Sequence, residues 1–328
     1  MKIFIADKFE QGGIDKLQKL GCEVKYQPGT SGGALAKALC GGGYGILVVR
    51  STKVTREILE AASDLHMVIR AGAGTDTIDV KSASELGIRV CNCPGMNSIA
   101  VAELTIGLMI TLDRRIVDET DDLRHRVWNK KEYSKARGLK GRTLGIWGLG
   151  RIGVEVARRA AAFEMRLLYC DVVPRDDAES ELGIQRVSAE QLLAESDFVT
   201  LHVPGGPQTR HLIGAAELAM MKPTAFLINC SRGGIVDEEA LAKAIRVGEL
   251  AGAALDVYEK EPAAEAKEFE DPVVEAPRVY GTHHIGASTE QAQSAVAEET
   301  VRIVQEFMER RGFLHCVNPA EHEPLFRG

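Results

Sequence analysis

Ten residues, Leu144-Gly-Ile-Trp-Gly-Leu-Gly-Arg-Ile-Gly153, narrow the folds open to this chain more than any other segment. A short apolar run passes directly into Gly148, Gly150 and Gly153, spaced G-x-G-x-x-G, and then into a helical pattern that opens with Arg151 and Ile152. In that setting Gly148 suits the tight turn, Gly150 lets a phosphate approach the backbone, and Gly153 allows close helix–strand packing. The helix start adds unpaired N–H groups and the positive end of its dipole. Eighteen residues past Gly153, after the next apolar run, stands Asp171, placed to accept hydrogen bonds from an adenosine ribose. A carboxylate there repels a 2′-phosphate, so NAD is expected over NADP. Arg175, four residues on, keeps NADP as the alternative.

The same alternation runs from end to end. Apolar runs at Ile3–Ala6, Cys22–Tyr26, Ile46–Val49, His66–Ile69 and Ile88–Cys91 predict five strands with helices between them. Thr143–Trp147, Leu167–Cys170, Phe198–Leu201, Ala225–Asn229, Gly252–Leu255 and Val279–Gly281 predict six more. One long helix is expected over Asn97–Ile116, and another over Ser288–Arg311. Arg124–Arg142 reads as a polar, basic stretch, and the proline- and carboxylate-rich Glu259–Pro277 as a loop. Alternation of this kind is the mark of parallel α/β architecture. At 328 residues the chain exceeds one ordinary core, so two domains are expected.

Composition excludes several partners. A net charge of −7 disfavours nucleic acid, which wants a basic surface. No run reaches the ~18–20 apolar residues of a membrane span. The start, Met1-Lys-Ile-Phe-Ile-Ala-Asp7, meets a charge too early for a secretory signal. Seven cysteines without regular spacing make no secreted disulfide framework, so a cytoplasmic protein is expected.

Ligands of open α/β sheets gather beyond the carboxyl ends of strands. Three such ends carry chemistry: Arg232 in a glycine-flanked turn, Asp256 leading to Glu259 and Glu261, and the pair His283-His284. A histidine suits the proton step of an alcohol–ketone interconversion, and a carboxylate beside it orients the ring. A guanidinium can hold a substrate carboxylate and polarise a carbonyl. No His/Cys cluster has zinc spacing, so no metal is expected.

With these residues in place, the chain resembles the D-isomer-specific 2-hydroxyacid dehydrogenases along nearly its whole length. The resemblance rests on Val49-Arg50-Ser51-Thr52, Arg70-Ala-Gly-Ala-Gly74, Asn97-Ser-Ile-Ala-Val-Ala-Glu103, Gly148–Gly153 and Leu201-His-Val-Pro204. It continues through Asn229–Glu238, Ala253–Pro262 and His284–Thr289. It implies that Arg232, Glu261 and His284 are catalytic. It implies NAD contacts from Ala73, Gly148, Gly150, Arg151, Ile152, Gly153, Asp171, Val203, Cys230, Arg232, Asp256, His284 and Gly286. On the substrate side it implies Arg50, Arg70, Gly72, Ala73 and Asn97 beside Arg232 and His284.

The implied fold is two Rossmann-like doubly wound parallel-sheet domains with a cleft between them. The substrate domain would be discontinuous, 1–97 with 287–328, around a cofactor domain at 98–286 that also forms a homodimer. The implied substrate is a small anionic 2-hydroxy or 2-oxo acid. Arg50 and the basic positions Lys130, Lys131, Lys135 and Arg137 favour 3-phosphoglycerate, the first step of serine biosynthesis. A glyoxylate or hydroxypyruvate reductase is the alternative, and an NAD-sensing corepressor is the non-enzymatic one. Three positions depart from the family pattern. His283 stands where the family has Pro, and Ala73 where phosphoglycerate enzymes often have Thr. The chain also ends at 328 without a regulatory domain, so serine feedback is not expected.

Overall fold

The computed structural model describes residues 1–262 and 268–319, so part of the Glu259–Pro277 loop and the chain from residue 320 lie outside the described residues. Two α/β units result. Met1–Asn97 is completed by the segment that begins at Ser288, and Ser98–Ala287 forms the other unit.

In the first unit the strands are β1 (Lys2–Ile5), β2 (Glu23–Tyr26), β3 (Ile46–Val49), β4 (Met67–Arg70) and β5 (Arg89–Asn92). All pair in parallel in the order β2-β1-β3-β4-β5. Successive side chains of β1 serve opposite faces, and both faces are buried, because crossover helices must cover a parallel sheet on two sides. Ile3 and Ile5 pack with Leu17 of α1 (Gln11–Lys19) and with Val301, Val304 and Phe307 of the closing helix Glu290–Arg310. Phe4 packs on the other face with Leu35 and Leu39 of α2 (Gly32–Leu39) and with Ile58 and Leu59 of α3 (Arg56–Ala61). A fourth helix, α4 (Val80–Glu85), leads into β5. The segment after the closing helix lies antiparallel against β5. There Val317 N–H donates to Val90 at 2.8 Å, and Asn92 N–H to His315 at 3.3 Å.

The second unit opens with α5 (Ser98–Arg114) and carries β6 (Thr143–Trp147), β7 (Arg166–Cys170), β8 (Gln185–Arg186), β9 (Phe198–Leu201), β10 (Phe226–Asn229), β11 (Gly252–Leu255) and β12 (Val279–Gly281). Its parallel order is β12-β11-β10-β9-β6-β7-β8. The direction of growth reverses at β6, whose carboxyl end is the glycine turn, and such a switch point is where open sheets take ligands. Polar β8 has no apolar signature and exists only through its pairing with β7.

The single helix expected over Asn97–Ile116 is broken. Arg115 takes a left-handed φ of 56°, and α6 (Ile116–Arg124) starts afresh after it. Its guanidinium binds Asp118 at 2.9 Å and Glu132 at 2.7 Å, interactions that anchor the new direction. Nor is the basic stretch entirely solvated. Arg142 is buried, pairs with Asp113 at 2.8 Å and lies over the Phe198 ring at 4.2 Å.

Candidate active site

The turn after β6 has the shape its glycines predict. Gly148 sits at φ 94°, and a Cβ there would stand 2.6 Å from the His202 carbonyl oxygen. A Cβ on Gly153 would reach 2.3 Å from the Gly148 oxygen, so the helix α7 (Arg151–Ala162) lies hard against the strand. At Gly150, by contrast, a Cβ would meet nothing within 4 Å. Gly150 is also the N-cap of α7 and supplies no side chain to its first N–H groups. An open backbone at an uncapped helix start fits a dinucleotide pyrophosphate. Asp171, past the end of β7, accepts from Leu149 N–H at 2.6 Å and Val173 N–H at 3.1 Å. Arg175 is committed to the Leu149 carbonyl at 2.6 Å and to Asp177 at 2.9 Å. Val203 lies half-buried beyond β9. Cys230 is buried beyond β10, and burial pushes its thiol up to about 12, which leaves it protonated and inert.

Three neighbouring strand ends carry the expected catalytic residues. Asn229, the last residue of β10, accepts from Ser231 N–H and hydroxyl and donates to the Arg232 carbonyl at 3.0 Å, shaping the turn that presents Arg232. Beyond β11, Glu261 accepts from Tyr258 N–H at 3.2 Å with one oxygen and pairs with His284 Nδ1 at 2.8 Å with the other. Burial alone would raise the Glu261 carboxyl. The His284 bond and charge, the Tyr258 amide and the nearby Arg232 guanidinium outweigh it and hold the group below its ordinary value. Nδ1–H therefore points at a carboxylate, and Nε2 is the outward nitrogen. His283 is exposed, and among the described residues its ring has no bonded partner.

Beyond β12 the turn is held from beneath. Asp256, 1% exposed, accepts from the Thr282 hydroxyl at 2.6 Å, Ile285 N–H at 2.8 Å and Gly286 N–H at 2.9 Å. Its oxygens serve the turn that carries His284, whose backbone is left-handed at φ 52°.

The first unit gathers a separate group at its own reversal, between β1 and β3. Asp7 takes the backbone N–H groups of Arg50, Ser51 and Thr52 at 2.6, 3.0 and 3.0 Å, and the Thr52 hydroxyl at 2.9 Å. Arg50 reaches the Ser288 hydroxyl at 3.4 Å. Past β4, Gly72 adopts φ 154° with the Arg70 guanidinium where its Cβ would be, at 1.5 Å from Nη1. The Ala73 carbonyl is held by Asn92 Nδ2 at 2.5 Å, while Asn97 sits half-buried in the turn before α5.

The cofactor pattern of the D-isomer specific 2-hydroxyacid dehydrogenase, NAD binding domain, matches residues 106–286, more than half of the chain. The chain belongs to the D-isomer-specific 2-hydroxyacid dehydrogenase family. It is 42% identical to the D-3-phosphoglycerate dehydrogenase of Methanocaldococcus jannaschii over 312 residues, 93% of this chain and 58% of that protein. It is 38% identical to the glyoxylate reductase of Thermococcus litoralis over 305 residues, 90% of each. The chain thus spans under two thirds of the phosphoglycerate relative's length and nearly all of the glyoxylate relative's. The structure superposes on a D-lactate dehydrogenase from Aquifex aeolicus complexed with NAD and lactic acid, with a TM-score of 0.84 and 29% identity. That match covers 98% of this chain and 100% of that one.

Within this family member, motif reasoning passed over the residues that hold the site in shape. Asp7, Asn92 and Asn229 touch the backbone of loops, and each stands at or just past the carboxyl end of a strand. That position was the available signal.

Proposed function

We propose that the chain is a cytoplasmic, NAD-dependent dehydrogenase of small D-2-hydroxy acids, with 3-phosphoglycerate as its favoured substrate. The observation that carries this reading is the convergence of Arg232, Glu261 and His284 on adjacent strand ends of the sheet that bears the open glycine turn. Nicotinamide, when bound, takes the hydride. His284 Nε2 accepts the hydroxyl proton in oxidation and returns one in reduction, with Glu261 fixing the ring. Arg232 holds the substrate carboxylate and polarises the carbonyl as it forms. Within the first unit, the 70–74 loop carries backbone amides suited to a carboxylate, and Arg50 supplies a cation suited to a phosphate. Glyoxylate or hydroxypyruvate reduction is the second reading, favoured by the coverage of the Thermococcus relative.

The protein also works as a homodimer through its cofactor unit. Helix α6 buries no residue within the chain, yet Ile116, Val117 and Leu123 on it and Val127 and Trp128 after it are exposed large apolar side chains, Trp128 at 80%. A run of this kind marks an association surface.

Steady-state kinetics test the activity, with NAD and NADP, on D-3-phosphoglycerate, D-glycerate and D-lactate, and in reverse on glyoxylate and hydroxypyruvate. NAD should be strongly preferred, as Asp171 requires. Arg50→Ala should lower kcat/KM for 3-phosphoglycerate roughly ten- to a hundred-fold, the equivalent of a lost charge-assisted bond, and spare the unphosphorylated acids. Equal losses on all substrates would move Arg50 to a structural role and favour the second reading. No turnover of any acid would overturn the proposal.

A further inference from the structure

Outside the candidate active site, two thiols meet at the edge of the first unit's sheet. Cys91 lies in β5 and Cys316 in the segment that follows the closing helix, and the two are direct partners in an isolated antiparallel bridge. The flanking bonds run from Asn92 N–H to His315 and from Val317 N–H to Val90. Cys91 and Cys316 therefore do not exchange bonds with each other. They form the closely spaced kind of antiparallel pair, with Cα atoms about 4.5 Å apart and side chains on the same face. That spacing lies within the span of a disulfide. The thiols do face one another: the Cys316 side chain bonded to it is the leading reason, with burial second, that the Cys91 thiol is held protonated. Neither cysteine is in a disulfide in this structure. Cys91 is fully buried and Cys316 half-buried.

We propose that Cys91 and Cys316 are a disulfide-forming site, closed by hydrogen peroxide or another small peroxide. Peroxide meets the accessible sulfur first. The Cys316 thiolate attacks one peroxide oxygen, the O–O bond breaks, and hydroxide leaves as Cys316 becomes a sulfenic acid. The Cys91 sulfur then attacks the Cys316 sulfur, its S–H proton goes to the departing hydroxyl, and water leaves. Two thiols and one peroxide thus give one disulfide and two waters. Because Cys91 holds its proton tightly, this second step is slow and quickens as pH rises. Cys93, two residues on, does not compete, because its sulfur is bonded to Thr300 and the Val296 carbonyl. The new bond would tie the return segment to β5, whose next residues, Asn92 and Cys93, hold the Ala73 and Gly72 carbonyls.

The test treats the full chain with hydrogen peroxide, blocks remaining thiols by alkylation, and maps peptides by mass spectrometry without reduction. A Cys91–Cys316 cross-linked peptide should form, grow faster at pH 8.5 than at pH 6.5, vanish on addition of dithiothreitol, and raise Tm while present. It should be absent from Cys316→Ser. Cys91→Ser, with its own Tm as a check on folding, should instead leave Cys316 as sulfenic or sulfinic acid. Oxidation of Cys316 in the unmutated chain without the cross-linked peptide would overturn the proposal, as would pairing of Cys91 with Cys93.

Discussion

His284 carries its ring on a left-handed backbone, a region where a non-glycine residue costs on the order of 1–3 kcal/mol. Asp256 holds that turn through three hydrogen bonds, and Glu261 fixes the ring from the side. If Nε2 carries the proton, His284→Gln should cut kcat by about 10²–10⁴ and leave NADH binding, read by fluorescence, nearly intact. His283→Pro should be tolerated, since that ring is exposed. Loss of turnover in His283→Pro with a benign His284→Gln would reassign the proton path. Glu261→Gln should cost less than loss of the ring, because the imidazole stays in place and loses only the carboxylate that orients it through Nδ1. Glu261 titrates below its ordinary value, so what its ionised form contributes to stability is present above about pH 4.3 and is lost as pH falls through the lowered value.

At the scale of elements, the loop bearing Glu261 is tied to its neighbours by a buried carboxyl. Glu238, in the first turn of the helix Glu238–Arg246, accepts from Glu259 N–H at 2.7 Å. Glu259 in turn binds Arg210 at 2.6 Å and His211 at 3.0 Å. Burial first, and then the proximity of Asp271 and Glu259, pushes the Glu238 carboxyl up to about 7. A raised folded value means a stabilising proton that is bound at low pH and surrendered as pH rises through about 7. Glu238→Gln keeps the accepting oxygen and copies the protonated form. It should match the unmutated protein at pH 5 and exceed it at pH 8.5 by up to a few kcal/mol, measured by urea unfolding at the two pH values. A variant equally destabilised at both would show that Glu238 is ionised throughout.

For the whole molecule, the exposed apolar run Ile116–Trp128 sets the expectation for assembly. Light scattering at micromolar concentration should give about twice the 35.6 kDa chain mass. Leu123→Asp with Trp128→Glu should shift the protein toward monomer. A fully active monomer in the unmutated chain would contradict the proposed dimer. Among the described residues no helix is long and apolar enough to cross a membrane.

Sequence by itself determined the features that depend on local chemistry and short spacing. Parallel strands buried on both faces must be continuous apolar runs, which is why most of them were legible to within a residue or two. The glycine turn was legible because only glycine meets its backbone and packing demands, as the close approaches at Gly148 and Gly153 show. Tertiary structure decided what depends on partners distant in the chain. Gln185–Arg186 has no strand pattern of its own and becomes β8 only beside β7. Arg115 breaks a helix that its apolar spacing would continue, because Asp118 and Glu132 hold its side chain across the bend. Of two adjacent histidines only the family register favours His284 in sequence, and the contact of its ring with Glu261, 23 residues earlier, is a tertiary fact. Asp7 reaches the amides of residues 43 to 45 positions away because parallel strands bring carboxyl ends to one edge, whatever the length of chain between them.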